Sequence, residues 1–411
     1  MFNVFSSIHR YRPTTRRLAT VVAAVMVSAS ATTTLFAPAA LSQSVSGSSA
    51  LDEAGYNLSS DALASWSYNP QLGQQLNSIF QQFHATSPWG QLPIPNIYGS
   101  PTPYPANSLR DYDQPRLIDR RPDDRFPFVE RLFIESPAMK RVVQVQVLYP
   151  RDRSTPAPML YLLDGVTAPQ QSGWLREGDV QGAMAHEHVT VVMPTEATGS
   201  NYTNWNTDDP YLGRSQWETF LVEELPSVLE APQSGFAFNG TRYIGGLSMG
   251  GSAAIRIANL YPQRYSGTFS VSGCYSTINT SGREFFNFIT RSVGGTPDLI
   301  WGAGITKERR RNDVVSNPTG LKNMPVYVFT ADGNVTEADK AHYRPHGAHE
   351  LAGGIILEKV VHQCTREFDD AMRAHGMTHH KVDYQRGGIH DWPYYKAQLP
   401  IAWKHISSKP Q

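Results

Sequence analysis

Tyr243-Ile-Gly-Gly-Leu-Ser248-Met-Gly-Gly-Ser252 is the stretch whose reading decides the fold. A β-branched and aromatic run, Thr241 to Leu247, breaks at glycines, presents one serine and passes into SAAIRIANLY (Ser252 to Tyr261), which reads as a helix. Gly246-x-Ser248-x-Gly250 fits a tight strand-to-helix turn that holds a serine hydroxyl outward as a nucleophile. The flanking positions lack side chains so that strand and helix can approach closely around a strained serine. With glycine and serine each near ~7% of residues, such a pattern arises by chance in roughly one chain in ten of this length, so its weight comes from context.

The surroundings supply that context. Arg131 to Ile134 and Arg141 to Tyr149 alternate apolar and polar residues around a proline-containing turn, the pattern of an antiparallel hairpin. Continuous apolar runs follow at Met159 to Leu163, Val189 to Met193, Tyr243 to Leu247 and Val326 to Thr330, as in strands buried on both faces. Helical stretches, notably Ser215 to Leu229 and Leu351 to His375, lie between them. The alternation predicts a doubly wound, mostly parallel α/β sheet opened by an antiparallel hairpin, with ligands at the carboxyl ends of the strands. Ser276 to Lys322 has weak periodicity and reads as an excursion over that face.

The chain has 411 residues, with 36 Lys and Arg against 36 Asp and Glu. A balanced charge gives no electrostatic footprint for nucleic acid. Charged residues are only 18%, and 32 glycines and 29 prolines indicate many turns.

Residues 1–42 read as a signal peptide: Arg10, Arg12, Arg16 and Arg17 precede the apolar LATVVAAVMV (Leu18 to Val27), and Ala37-Pro38-Ala39 fits a cleavage site. The apolar run is too short to span a bilayer, so no transmembrane anchor is expected in the mature chain. Arg16-Arg17 leaves the Sec and twin-arginine routes both open. Residues 43–128 read as a polar, partly helical extension followed by a proline-rich linker without strand period, and 129–411 as the α/β domain. Two cysteines, Cys274 and Cys364, exclude a multi-cysteine metal site. Export makes one disulfide between them the expectation, with two buried thiols as the alternative.

A serine nucleophile needs a base, and the base needs an orienting carboxylate. In α/β-hydrolases, which the Ser248 turn resembles, the order is serine, acid, histidine. His390, in Gly387-Gly-Ile-His-Asp-Trp392 after the strand-like Lys381 to Gln385, fits the base; His362, His375, His379 and His380 lie on or beside a helix. For the acid, pattern leaves two residues open: Asp332, ending the strand Val326 to Thr330, and Glu358, inside a helix. The oxyanion donors should be the Met249 amide, next to the nucleophile, and an amide of the loop after Met159 to Leu163.

Several ordered segments resemble the antigen-85-type mycolyltransferases: Tyr161-Leu-Leu-Asp-Gly165, Ser172-Gly-Trp174, Val192-Met-Pro194 and Asn201-Tyr-Thr-Asn-Trp205. Trp217-Glu-Thr-Phe-Leu221, Gly246-Leu-Ser-Met249 with Tyr261-Pro-Gln263, and Gly388-Ile-His-Asp-Trp392 continue the series. The resemblance spans Val129 to Trp403. It implies an α/β-hydrolase fold and an exported serine acyltransferase without metal or organic cofactor. Mycolyl groups would pass from trehalose monomycolate to a second trehalose monomycolate or to arabinogalactan in the cell envelope. It assigns the acid to Glu358, through the pair Leu357-Glu358, and the second oxyanion amide to Val166. Asp164 becomes a contact to the trehalose head group, although a turn residue is an equally good reading of it. Thr167 departs from the family, where an arginine helps to hold the sugar. Trp392 could stack on a sugar or pack in the core. A secreted carboxylesterase and a non-catalytic envelope-binding protein are the rival functions. Ser248, His390 and a carboxylate are all present, which argues against the second.

Overall fold

The computed structural model describes residues 109–344, 348–378 and 380–408. The expected signal peptide and most of the extension, residues 1–108, lie outside the described residues.

Nine strands form one sheet: β1 (Arg116–Pro122), β2 (Val129–Ser136), β3 (Arg141–Leu148), β4 (Ala157–Leu163), β5 (Thr190–Pro194), β6 (Phe238–Leu247), β7 (Thr268–Val271), β8 (Val326–Ala331) and β9 (His380–Gln385). Their order is β1-β2-β3-β5-β4-β6-β7-β8-β9. The β2–β3 pair is the expected antiparallel hairpin, with Val129 opposite Leu148 and Ser136 opposite Arg141. β5 pairs antiparallel with β3, and the neighbours from β5 through β9 are parallel. The sheet has the expected doubly wound, mostly parallel form of an α/β-hydrolase fold.

The sheet begins before Val129, which corrects the reading of this region as a linker without strand period. β1 runs antiparallel to β2 with a register shift between Leu117 and Asp119. That bulge breaks the two-residue alternation by which a strand is recognised, and the exposed arginines of an edge strand hide it further.

Four long helices cover the sheet: α1 (Ser248–Leu260), α2 (Thr280–Arg291), α3 (Ala348–Ala374) and α4 (Trp392–Ser407). On one face, Ala253, Ile255 and Ile257 of α1 share a core with Val361 and Phe368 of α3 and with strand residues such as Tyr161 and Val328. On the other, Leu399, Ala402, Trp403 and Ile406 of α4 pack with Leu160, Leu162, Phe269 and Tyr327. Alternate strand residues thus face opposite helical layers, which is why these strands are apolar throughout. The weakly periodic segment after β7 folds into α2 and two short helices, where Phe286 and Trp301 form a satellite cluster with Trp205.

Cys274, just after β7, is disulfide-bonded to Cys364 of α3, with their Cα atoms 5.0 Å apart. Among the described residues no helix is long and apolar enough to cross a membrane.

Candidate active site

β6 ends at Leu247 and α1 begins at Ser248, so the serine occupies the turn itself, at a left-handed φ of 51°. Glycines are required around it. A Cβ on Gly246 would lie 2.7 Å from the Leu163 carbonyl oxygen, and one on Gly250 would lie 2.5 Å from the carbonyl oxygens of Leu163 and Asp164. Backbone blocks both positions, so neither neighbour can yield.

His390 Nε2 lies 2.9 Å from Ser248 Oγ, and its Nδ1 lies 2.9 Å from Glu358 Oε2. The carboxylate accepts from Nδ1–H, which leaves Nε2 free to accept the serine proton. Glu358 is wholly buried, and its second oxygen is pinned from three sides. Ser272 Oγ donates to Oε1 at 2.9 Å, Thr330 Oγ1 at 3.0 Å and the Ala331 amide at 2.7 Å. A carboxylate held this way can present only its other oxygen to the imidazole. Ser272 and Thr330 were not singled out from sequence. Ser272 left no trace there, whereas Thr330 is the one hydroxyl ending an apolar strand.

Asp332, the competing acid, does something else. Its Oδ1 accepts from the Asn334 amide and from the Gly387 amide, both at 3.0 Å. It braces the loop that carries His390. The same loop is fixed to α3 by the His390 amide donating to Gly354 O at 3.0 Å. His362 points its Nδ1 at the Ala331 carbonyl, and His375, just past α3, bonds back to the Ala371 carbonyl. His380 pairs with Asp369. His379 lies outside the described residues.

The loop after β4 runs against the nucleophile: a Cβ on Gly165 would stand 3.6 Å from Ser248 Cβ. Val166 follows it, and its carbonyl accepts from the Gly199 amide at 2.9 Å. Met249 is in the first turn of α1, where amides have no acceptor within the helix. Its side chain is fully buried in the core, and its Sδ accepts from the Asn201 amide at 3.3 Å.

Asp164 is only 1% exposed, and neither carboxylate oxygen has a hydrogen-bond partner among the described residues. Burial pushes its carboxyl up to about 7, opposed by the nearby Ser172 hydroxyl and the amides of Gly173 and Trp174. Trp392 is half-buried and meets Trp174 and Tyr395 edge-on, at 5.6 and 5.7 Å between centroids. Both Asp164 and Trp392 converge on Gly173, where a Cβ would lie 2.3 Å from the Trp392 ring and 3.0 Å from Asp164 Oδ1. Thr167 is exposed, with its carbonyl accepting from Thr198 Oγ1. Among the described residues no group of three or more His, Cys, Asp or Glu side chains is placed to hold a metal ion.

A doubly wound sheet with a serine at its central strand-to-helix turn, in line with a histidine and a buried carboxylate, defines the serine-hydrolase type of α/β-hydrolase protein. The Esterase family model matches residues 136–406. Diacylglycerol acyltransferase/mycolyltransferase Ag85A of Mycobacterium tuberculosis is 30% identical over 280 residues, covering 66% of this chain and 78% of that protein. The Mycobacterium leprae Ag85A is 29% identical, covering 66% of this chain and 80% of its own length. Among solved structures, Mycobacterium tuberculosis MPT51 superposes with a TM-score of 0.57 at 26% identity, over 68% of this chain and 97% of that one. An S-formylglutathione hydrolase from Agrobacterium tumefaciens shares the fold, with a TM-score of 0.52 at 16% identity over 71% of this chain and 98% of its own. The chain belongs to the antigen-85-type mycolyltransferase family.

Proposed function

We propose that this protein is an exported serine acyltransferase that moves mycolyl groups between envelope glycolipids. The observation that carries the reading is the unbroken Ser248–His390–Glu358 hydrogen-bond chain in a member of a mycolyltransferase family. Ser248 Oγ attacks the ester carbonyl of trehalose monomycolate while His390 Nε2 takes its proton. The amides of Met249 and Val166 stabilise the negative charge on the carbonyl oxygen. Collapse breaks the bond to trehalose, which leaves with the proton from His390, and the mycolyl group stays on Ser248. A hydroxyl of a second trehalose monomycolate, or of arabinogalactan, then gives its proton to His390 and attacks the acyl-enzyme; collapse breaks the ester bond to Ser248, whose Oγ takes the proton back from His390. Glu358 keeps the ring oriented and stabilises its charge. The protein's own residues suffice for every step, without metal or organic cofactor.

Transfer outcompetes hydrolysis only if a sugar site holds the acceptor at high effective concentration. Asp164 and Trp392 form its wall in this reading, because they meet at Gly173 and Asp164 leads into the loop that runs against Ser248. Thr167 leaves that wall without the family's arginine, so sugar affinity depends more heavily on Asp164. The reading of residues 1–42 as a signal peptide supports a reaction outside the membrane.

Serine-directed labelling tests the nucleophile. A fluorophosphonate should modify the wild-type protein at Ser248 and leave Ser248→Ala unlabelled. Equal labelling of both would refute the assignment and favour a non-catalytic binding protein.

A further inference from the structure

Outside the reacting groups, one feature links both candidate oxyanion amides to a buried charge. Asn201 and Tyr202 are consecutive non-glycine residues in the left-handed region, with φ of 52° and 46°. Such a pair persists only when its surroundings over-determine it. On one side these residues hold the oxyanion elements. The Asn201 amide donates to Met249 Sδ, and Tyr202 Oη accepts the Asp164 amide at 3.1 Å, at the start of the loop that carries Val166. Gly199, two residues earlier, donates to the Val166 carbonyl. On the other side lies Arg256, on α1 about 12 Å beyond Ser248 at 1.5 Å per helical residue. One nitrogen, Nη2, donates to Asn201 O at 2.6 Å and to Tyr202 O at 3.1 Å. Arg256 is 3% exposed, and its ring neighbour is Trp301 at 5.9 Å. Burial lowers its pKa to about 10, with Glu218 opposing, so the guanidinium stays charged near neutrality.

We propose that Arg256 is a positioning residue for the oxyanion hole, acting through the Asn201–Tyr202 pair. Both carbonyls accept from Nη2 of the buried cation, and these charge-assisted bonds hold the pair in its unfavourable conformation. The pair in turn sets the Val166 loop relative to Met249. Nucleophile and oxyanion donors are thereby fixed to one rigid helix, with Ser248 at its start and the clamp two turns along. The inference rests on the acyl-transfer reading of Ser248.

The test compares p-nitrophenyl butyrate with its thiono analogue, whose sulfur is larger and a weaker hydrogen-bond acceptor. A well-set oxyanion hole favours the oxygen ester, and a disordered one loses that preference. Arg256→Met should lower kcat about tenfold with KM within about twofold, and cut the oxygen-over-sulfur preference by about tenfold, less than the roughly 10²- to 10³-fold of losing an oxyanion donor outright because the donors are displaced rather than removed. Arg256→Lys should recover part of the preference. Tyr202→Phe, which removes only the acceptor of the Asp164 amide, should reduce it by about threefold. A merely structural role would lower the melting temperature and leave the preference intact. Folded Arg256→Met with the wild-type preference, or with a loss confined to KM, overturns the proposal. If Arg256→Met cannot be recovered folded, an unchanged preference in Tyr202→Phe overturns it and a reduced one supports it. Ester cleavage that persists in Ser248→Ala would instead overturn the acyl-transfer reading, and this inference with it.

Discussion

Glu358 Oε2 lies 2.9 Å from His390 Nδ1, whereas Asp332, just after β8, meets the histidine loop through the Gly387 amide. Two carboxylates near one histidine have separate tasks, one orienting the ring and the other shaping the loop. Glu358→Gln should therefore lower kcat by about 10³- to 10⁴-fold, by failing to hold the required tautomer. Asp332→Asn should cost roughly 1–2 kcal/mol of stability through the weakened loop bonds, with a much smaller loss of kcat. Ester turnover and thermal melts of the two variants check this; a larger kcat loss for Asp332→Asn would reverse the assignment.

Ser272 and Thr330 act on Glu358 rather than on substrate. Removing a donor to a buried carboxylate oxygen loosens the carboxylate's orientation. Thr330→Val should reduce kcat by about tenfold while KM stays nearly constant, and Ser272→Ala should behave alike. Their combination should be less than multiplicative, because both serve the same oxygen. Steady-state kinetics of the two single variants and the double variant provide the cycle.

The Cys274–Cys364 disulfide joins residues 90 apart and ties the acid-bearing helix α3 to the end of β7. Closing a loop of that size restricts the unfolded chain, so Cys274→Ser/Cys364→Ser should lose roughly 2–5 kcal/mol. Urea unfolding of this variant against the oxidised wild type measures the difference. Equal midpoints and slopes would contradict it.

Asp164 carries a pH signature. Its carboxyl titrates near 7 when folded and near the ordinary carboxylate value when unfolded, so the folded state binds the extra proton between those limits. This residue's contribution to stability is thus greatest below about pH 4 and declines as pH rises through 7. Asp164→Asn removes that dependence. The variant should gain on the wild type in thermal melts as pH goes from 5 to 8, by on the order of 1 kcal/mol per unit of the pKa shift. A constant gap would show that Asp164 does not titrate in this way.

Much of this architecture is legible in the chain. The serine turn, the hairpin and the apolar strands are local signals, each set by steric or periodic rules acting over a few residues. His390 is legible because glycines and a tryptophan mark its loop. β1 is not, since a bulge and edge-strand charges erase its alternation. The acid divides the same way: the strand-end position favours Asp332, and only the family resemblance points to Glu358. Its anchors Ser272 and Thr330 lie 86 and 28 residues from it in sequence, so the convergence exists only after folding. Arg256 is hidden for the same reason, as an arginine in an apolar helix face whose acceptors lie 55 and 54 residues away.

The most direct test of the account is product analysis after incubating the purified protein with trehalose monomycolate in water. Trehalose dimycolate should accumulate together with free trehalose in the wild type and be absent with Ser248→Ala. Release of free mycolic acid and trehalose with no dimycolate would contradict the acyltransferase reading and leave an esterase.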